Sequence, residues 1–319
     1  MTEGALLAAL TVLVALLVVF FGSVGLVAAP LPLFVLTYRR GVRVAVLSAV
    51  VAGFALSPLF GFPQGLLFVA AFAPMGIIQG AIARRGGSAV PARALAFGVL
   101  GGLVVTALSL AAARVVLGLD PLQTLVEAQV RATQSAATML ARMNAPPAQV
   151  QQMEALAEQL PAFLRMVFPA ALVLGVVLWA YGAYALARQV MRRLGTDLPG
   201  FAPILTWRLP PAAGAAIALP VLVGVAIQPL APSLGRALTA NAFLVGVMVF
   251  AFLGVLTMLY YLNARDVPRG GRVLAVVAVI LLGDLGTFAM AILGLLDLWF
   301  DLRKIGPRAP QSAQETEQE

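Results

Sequence analysis

The sequence predicts an all-α integral membrane protein, a polytopic helical bundle of about eight full spans plus one or two broken segments. Of its 319 residues, 61% are hydrophobic and 11% are charged, which lies outside the usual composition of soluble domains. The apolar runs are continuous over roughly 20 residues, the length that a helix needs to cross a hydrocarbon core about 30 Å thick. They do not alternate as barrel strands do, so helices are the spanning elements.

Eight apolar runs are long enough to be spans. They cover residues 4–21, 42–56, 65–83, 94–117, 163–187, 212–230, 238–262 and 273–300. A shorter run at 24–36 contains Pro30 and Pro32, which each remove a backbone donor, so we expect 4–36 to form two pieces joined at 22–25. Glu3 stands where a cleavable signal peptide would carry positive charge, so the first helix is expected to remain as an anchor.

Arginine placement predicts the orientation. Most arginines fall in four alternate loops, which the positive-inside rule assigns to the cytoplasm: Arg39, Arg40 and Arg43; Arg84, Arg85 and Arg93; Arg188, Arg192, Arg193 and Arg208; and Arg265, Arg269 and Arg272. The tail carries Arg303 and Lys304, yet a single crossing after Arg272 would place it outside. Either the rule fails here or 273–300 is broken at 283–286 into two limbs, and we favour the second because the first segment is broken similarly.

One segment is predicted to lie outside the bilayer as an amphipathic helical hairpin, over residues 119–160. Asp120 and Pro121 form a typical helix start, and a second helix begins at Pro147 with apolar residues at three- and four-residue steps. This hairpin is expected to be either a cap that stabilises the bundle or a lid over an outward-facing cavity. The remaining divisions are N-terminal membrane helices at 1–118, C-terminal membrane helices at 161–304, and a polar tail at 305–319 that is expected to be disordered.

Missing residue types argue against most enzyme chemistry. The chain has no cysteine and no histidine, so thiol nucleophiles, His-based triads and the usual zinc sites are absent. Its one lysine, Lys304, lies outside any glycine-rich loop, so the chain has no Walker A motif and any ATP hydrolysis belongs to another protein. We therefore predict that the protein is not an enzyme and has no catalytic residue, metal or cofactor. We also predict that it does not bind nucleic acid, because its arginines lie in short loops between apolar segments.

Polar side chains within apolar segments are the candidate ligand or ion contacts, because a charge near the bilayer centre costs at least about 2.5–3.5 kcal/mol. Asp284, between Gly283 and Gly286, is either a proton, cation or substrate site or a cap on a half-helix. Asn241 is expected to make an interhelical hydrogen bond, with ligand contact as the alternative. The cluster of Trp179, Tyr181 and Tyr184 on one helix could stack a flat ligand, although interfacial belts contain most such residues.

Two further polar groups lie near helix ends. Asp297 and Asp301 stand one turn apart, with Arg303 and Lys304 just beyond. We interpret them as a charge-balanced helix end rather than as a general acid and base. Trp207 and Arg208 are predicted to anchor the membrane interface or to dock a partner protein.

Several short motifs in order resemble the YybS-like family of uncharacterised bacterial membrane proteins, over nearly the whole chain. They are Thr2-Glu-Gly-Ala-Leu-Leu-Ala8, Pro30-Leu-Pro-Leu-Phe34 followed by Arg39-Arg-Gly41, Trp207-Arg-Leu-Pro210 and Gly294-Leu-Leu-Asp-Leu-Trp-Phe-Asp-Leu-Arg-Lys304. The first part is also similar, more loosely, to the substrate-binding S components of energy-coupling-factor vitamin transporters. This resemblance implies a bacterial plasma membrane protein.

The S-component resemblance also implies a surface of small residues on the first helix that faces a transmembrane coupling protein with separate ATPases. Gly4, Ala5, Ala8 and Ala9 provide the four-residue spacing, which lets a second helix approach closely. Packing within the chain is the alternative. The leading functional hypothesis is therefore binding and passage of a small solute, and the other is a non-transporting factor that binds another membrane protein in envelope assembly or regulation.

Overall fold

The computed structural model describes residues 27–116 and 118–304, together with Ala9 and Val12. These residues form helices joined by turns and short loops, without a strand, which confirms the predicted all-α class. They divide into two compact units, the first ending at Phe201 and the second beginning at Ala202. The tail at 305–319 and most of the predicted span at 4–21 lie outside the described residues.

The described part of the first unit contains six helices. They are α1 (Leu31–Arg40), α2 (Val42–Phe60), α3 (Gln64–Arg85), α4 (Val90–Val116), α5 (Pro121–Arg142) and α6 (Pro147–Arg193). Glycines let α1 approach α3 closely. A Cβ on Gly80 would lie 2.6 Å from the Phe34 carbonyl oxygen, and one on Gly76 would collide with the carbonyl of Pro30. Close backbone contact of this kind supplies packing energy where lipid gives no hydrophobic drive.

The predicted helical hairpin is present, with one correction at its boundary. The Asp120 carboxylate accepts a hydrogen bond from the Gln123 backbone N–H at 3.1 Å, which caps α5, and α6 begins at Pro147 as predicted. The second hairpin helix does not stop at residue 160 but continues as one helix to Arg193. Pro161 removes only one helical donor, and the helix is held on both sides of it by buried Ala157 and Val167.

Between Ala202 and Lys304, the described part of the second unit has four longer helices: α7 (Pro211–Ile227), α8 (Pro232–Ala264), α9 (Arg269–Leu281) and α10 (Gly283–Phe300). The predicted break in 273–300 is confirmed. Helix α9 ends at Leu281, Gly283 has a φ of 57°, and α10 starts there. Because glycine adopts positive φ without a steric penalty, Gly283 permits the sharp change of direction.

Helices α8 and α10 run parallel. Gly254 of α8 packs on Met290 of α10, and Gly294 packs on Phe250, so these residues lie at one level. Farther along both helices, the Tyr261 hydroxyl donates to the Leu302 carbonyl at 2.7 Å. The ends of α8 and α10 therefore lie at the same end of the unit, and α9 brings the chain back between them. Lys304 therefore lies at the same end of the unit as the arginine-rich loop after α8, as the two-limb hypothesis requires.

Within the described residues, six helices are long and apolar enough to cross a membrane, namely α2, α3, α4, α6, α8 and α10, and a shorter apolar helix covers Ala212–Ile227. The described part of the chain is thus a polytopic helical membrane protein. Which face of the membrane each loop occupies remains a prediction from the arginines.

Candidate functional site

A buried amide in the first unit is the strongest candidate for ligand contact. Gln79 lies within α3 with no solvent exposure. Its Nε2 donates to the Ala180 carbonyl on α6 at 2.8 Å, while its Oε1 accepts no hydrogen bond from any residue that the structure describes. The side chain is therefore held by one end only, at the junction of α3 and α6.

Helix α4 makes room for this amide with glycine. A Cβ on Gly98 would lie 2.8 Å from Gln79 Nε2 and 3.2 Å from the Met75 sulfur. One turn later, a Cβ on Gly102 would lie 2.9 Å from the Met75 methyl carbon. A larger residue at position 98 would press on Gln79 and Met75, and one at position 102 would press on Met75, so the glycines preserve the space that these side chains occupy.

The unpaired acceptor has an energetic cost. A buried polar atom without a hydrogen bond destabilises a protein by about 1–3 kcal/mol. Met75 and Val176, which line the neighbourhood, have no N–H or O–H in their side chains. The cost disappears when a water molecule or a ligand donates a hydrogen bond to Oε1.

The predicted aromatic cluster of Trp179, Tyr181 and Tyr184 lies in the same unit, and its rings pack mostly against other side chains of that unit. Tyr184 is fully buried, and its hydroxyl donates to the Pro199 carbonyl at 2.9 Å. Its ring meets Phe34 and Phe201 edge-on at centroid distances of 6.3 and 5.4 Å, and the Tyr181 ring lies 4.8 Å from Phe201. Tyr184 therefore fixes the segment that follows α6. Trp179 is half-buried and packs on the cluster that contains Met75 and Val176.

Asp284 and Asn241 belong to the second unit. Asp284 lies in the first turn of α10 and is exposed, at the helix end where a carboxylate interacts favourably with the helix dipole. This is the predicted half-helix position, although no side-chain cap bond forms there. Asn241 Nδ2 donates to the Ala237 carbonyl at 2.7 Å, one turn back in α8. The candidate residues are thus divided between the two units.

A buried ion pair closes the end of α10. Asp297 and Arg303 are 5% and 2% exposed, and Arg303 Nε and Nη2 donate to Asp297 Oδ2 at 3.0 and 2.8 Å. The Arg303 guanidinium also donates to the carbonyls of Leu205 and Trp207, at 2.9 and 2.8 Å. One side chain therefore ties the end of α10 to the segment that opens the unit. We call this group the Asp297–Arg303 clasp.

A second, more exposed pair lies beside the clasp. Arg208 Nη1 lies 3.2 Å from Asp301 Oδ2, with both side chains about one-third exposed. The two pairs agree with the predicted charge-balanced helix end. The sequence did not predict that Arg303 would bind the backbone around Trp207, since those residues are far apart along the chain.

Two surface grooves accompany these sites. One of about 310 Å³ lies between α2 and α3 and is lined only by apolar residues, among them Ala49, Val69 and Pro74. The other, of about 270 Å³, lies in the hairpin beside Glu127 and Arg165. The lining of the first suits a lipid acyl chain. Of the predicted partner-contact residues, Gly4, Ala5 and Ala8 lie outside the described residues, and Ala9 is exposed.

Comparisons with known proteins agree with this architecture. The chain is 26% identical over 313 residues to the uncharacterised protein YybS of Bacillus subtilis (strain 168), which covers 94% of this chain and 96% of that protein. No solved structure was found to match. A family model described as a predicted membrane protein, DUF2232, matches residues 5–298. Because the match extends over most of its length, the chain belongs to the DUF2232 family of predicted membrane proteins.

Proposed function

We propose that this multi-pass membrane protein binds a small solute within its first helical unit and passes it across the membrane. Gln79 carries the proposal, because its Oε1 is a buried acceptor that the described residues leave unpaired inside a membrane-spanning helix. Polar groups within the membrane are costly and are typically associated with a partner or a substrate path. The S-component resemblance supports the same function and adds a coupling protein with separate ATPases.

The site indicates the hydrogen-bonding chemistry of the solute. One N–H of Gln79 Nε2 donates to the Ala180 carbonyl, so the uncharged amide offers a ligand the unpaired acceptor Oε1 and a second N–H. A solute that presents an O–H or N–H group would satisfy Oε1. Gly98 and Gly102 of α4 carry no side chain on the wall beside Gln79 and Met75.

Helix α3 also contains proline and glycine residues that would let it bend near Gln79. Pro74 lies inside the helix, where it removes one backbone hydrogen bond, and Gly76 and Gly80 remove side chains from the face toward α1. Proline and glycine positions in membrane helices are common where a helix bends near a binding site. A bend at Pro74 would separate Gln79 from α6 and admit a solute.

The test is the small-molecule content of protein purified in mild detergent. Wild type, Gln79→Leu and Gln64→Leu are compared, because Gln64 is exposed on the same helix and provides a matched control. We expect a bound polar compound in wild type and Gln64→Leu, reduced at least tenfold in Gln79→Leu. Equal content in all three proteins, or no bound compound in wild type, would contradict solute binding at Gln79.

Proteins that copurify separate the two functional hypotheses. A membrane coupling protein with ATPases favours transport, whereas envelope-synthesis proteins favour the non-transporting factor. Melting curves of the same variants exclude general unfolding as the cause of ligand loss. Leucine at position 79 removes the stabilising hydrogen bond to Ala180 and also removes the destabilising unpaired acceptor. Because these two effects oppose each other, we expect a melting temperature near that of wild type.

A further inference from the structure

The first unit brings three arginine-rich segments together at one end. They are the turn between α1 and α2, the loop between α3 and α4, and the last turns of α6. Their arginines form a surface that we call the basic face: Arg39, Arg40, Arg43, Arg84, Arg85, Arg93, Arg188, Arg192 and Arg193.

Two contacts show that these segments are neighbours. Nη1 of Arg84 lies 2.8 Å from the position that a Cβ on Gly41 would take, so the α3 end reaches the turn between α1 and α2. Met191 of α6 shares a buried cluster with Ala83 and Val90, which flank the loop between α3 and α4. The three segments therefore form one surface, although they come from distant parts of the chain.

Among the residues that the structure describes, few carboxylates lie near this charge. The sequence has no carboxylate between Glu3 and Asp120. Asp197 lies at this end, where its Oδ1 is 3.8 Å from Arg188 Nη2. The hairpin acids are distant, since Glu158 and Met191 are separated along α6 by about 50 Å at about 1.5 Å per residue.

We propose that the basic face binds anionic phospholipid headgroups. Its arginines stand at the ends of helices long and apolar enough to span a membrane, with Arg85 at the end of α3 and Arg43 in the first turn of α2. When these helices cross the bilayer, such helix ends lie at the depth of the lipid headgroups. Arginine pairs with phosphate through two parallel hydrogen bonds, and basic pockets between membrane helices recruit anionic lipids. An acidic protein or a nucleic acid would need no such alignment with helix ends.

The experiment measures lipid retention by the purified full-length protein, using native mass spectrometry after exposure to equal amounts of phosphatidylglycerol and phosphatidylcholine. The test variant is Arg84→Gln/Arg85→Gln. Its matched control is Arg131→Gln/Arg142→Gln on the exposed hairpin helix α5. Each arginine near an anionic surface contributes about fivefold in affinity, so the test pair is expected to lose about 25-fold in phosphatidylglycerol binding.

The control variant is expected to keep the wild-type preference for phosphatidylglycerol. A third variant, Arg84→Lys/Arg85→Lys, preserves charge and membrane orientation, and should retain most of the binding while losing the two-bond geometry. An unchanged preference in Arg84→Gln/Arg85→Gln overturns the proposal. So does loss of a copurifying acidic protein or nucleic acid with lipid binding intact, because the face would then serve that partner.

Discussion

The Asp297–Arg303 clasp gives the sharpest prediction for stability. Replacing Asp297 with asparagine keeps the side-chain volume but removes the charge that balances Arg303. Arg303 is 2% exposed, and its guanidinium donates to the Asp297 carboxylate and to the carbonyls of Leu205 and Trp207. After the change only neutral acceptors remain around a buried cation.

The expected magnitude follows from burial. Removing one partner of a buried ion pair destabilises a protein by about 3–5 kcal/mol, since the remaining charge stays in a medium of low dielectric constant. Asp301→Asn is the matched control, because its pair with Arg208 is about one-third exposed. Exposed pairs contribute about 0–1 kcal/mol, and asparagine tolerates the left-handed conformation that Asp301 adopts.

The assay is equilibrium unfolding in mixed micelles of a mild and a denaturing detergent. Asp297→Asn should lower the free energy of unfolding by at least 2 kcal/mol more than Asp301→Asn does, on the scale of about 3–5 against about 0–1 kcal/mol. If the two variants unfold alike, the clasp does not stabilise the second unit and the reasoning from burial fails.

Three other predictions concern topology, packing and Asp284. A cysteine at Gln311 should react with a membrane-impermeant thiol reagent only after permeabilisation, whereas one at Ser135 should react in intact cells; labelling of the tail in intact cells would contradict a cytoplasmic end. Gly294→Ala should destabilise the second unit by about 1–3 kcal/mol in mixed micelles, because its Cβ would collide with the Phe250 carbonyl, and Gly270→Ala should not, since nothing lies within 4 Å of its Cβ. Asp284→Asn should leave melting unchanged because the side chain is exposed, and full complementation of a deletion strain would remove Asp284 from the functional candidates.

Helices and their starts were predictable because their signals are local. Apolar length identifies a span, and Asp120 with Pro121 identifies a helix start, since the side-chain acceptor and the fixed proline φ act within one turn. Helix ends near proline were harder. Pro161 has the same local effect as a proline that ends a helix. Helix α6 continues past it because buried residues on either side hold the helix in place, and burial of this kind is not visible in a single sequence.

The candidate site was predicted less well because it depends on distant contacts. Gln79 was not predicted as a site residue because it is uncharged, although an amide followed directly by Gly80 and preceded by Gly76 is a recognisable signal of close helix packing around a polar group. No sequence pattern shows that Nε2 donates to the Ala180 carbonyl, 101 residues later, or that Oε1 accepts no hydrogen bond from the part of the chain that the structure describes. Arg303 is similar, since its acceptor at Leu205 lies 98 residues earlier.

The end of the chain shows how weak local signals combine into a firm topological conclusion. Gly283 alone is a common residue, and the cationic tail alone is compatible with either side of a membrane. The parallel pairing of α8 and α10 is independent of both, because it rests on the contacts of Gly254 and Gly294 and on the bond from Tyr261 to Leu302. Parallel neighbours require a return segment between them, and α9, with 13 residues, is that segment. The loop after α8 and Lys304 must therefore share one face, whichever side of the membrane the labelling experiment assigns to it.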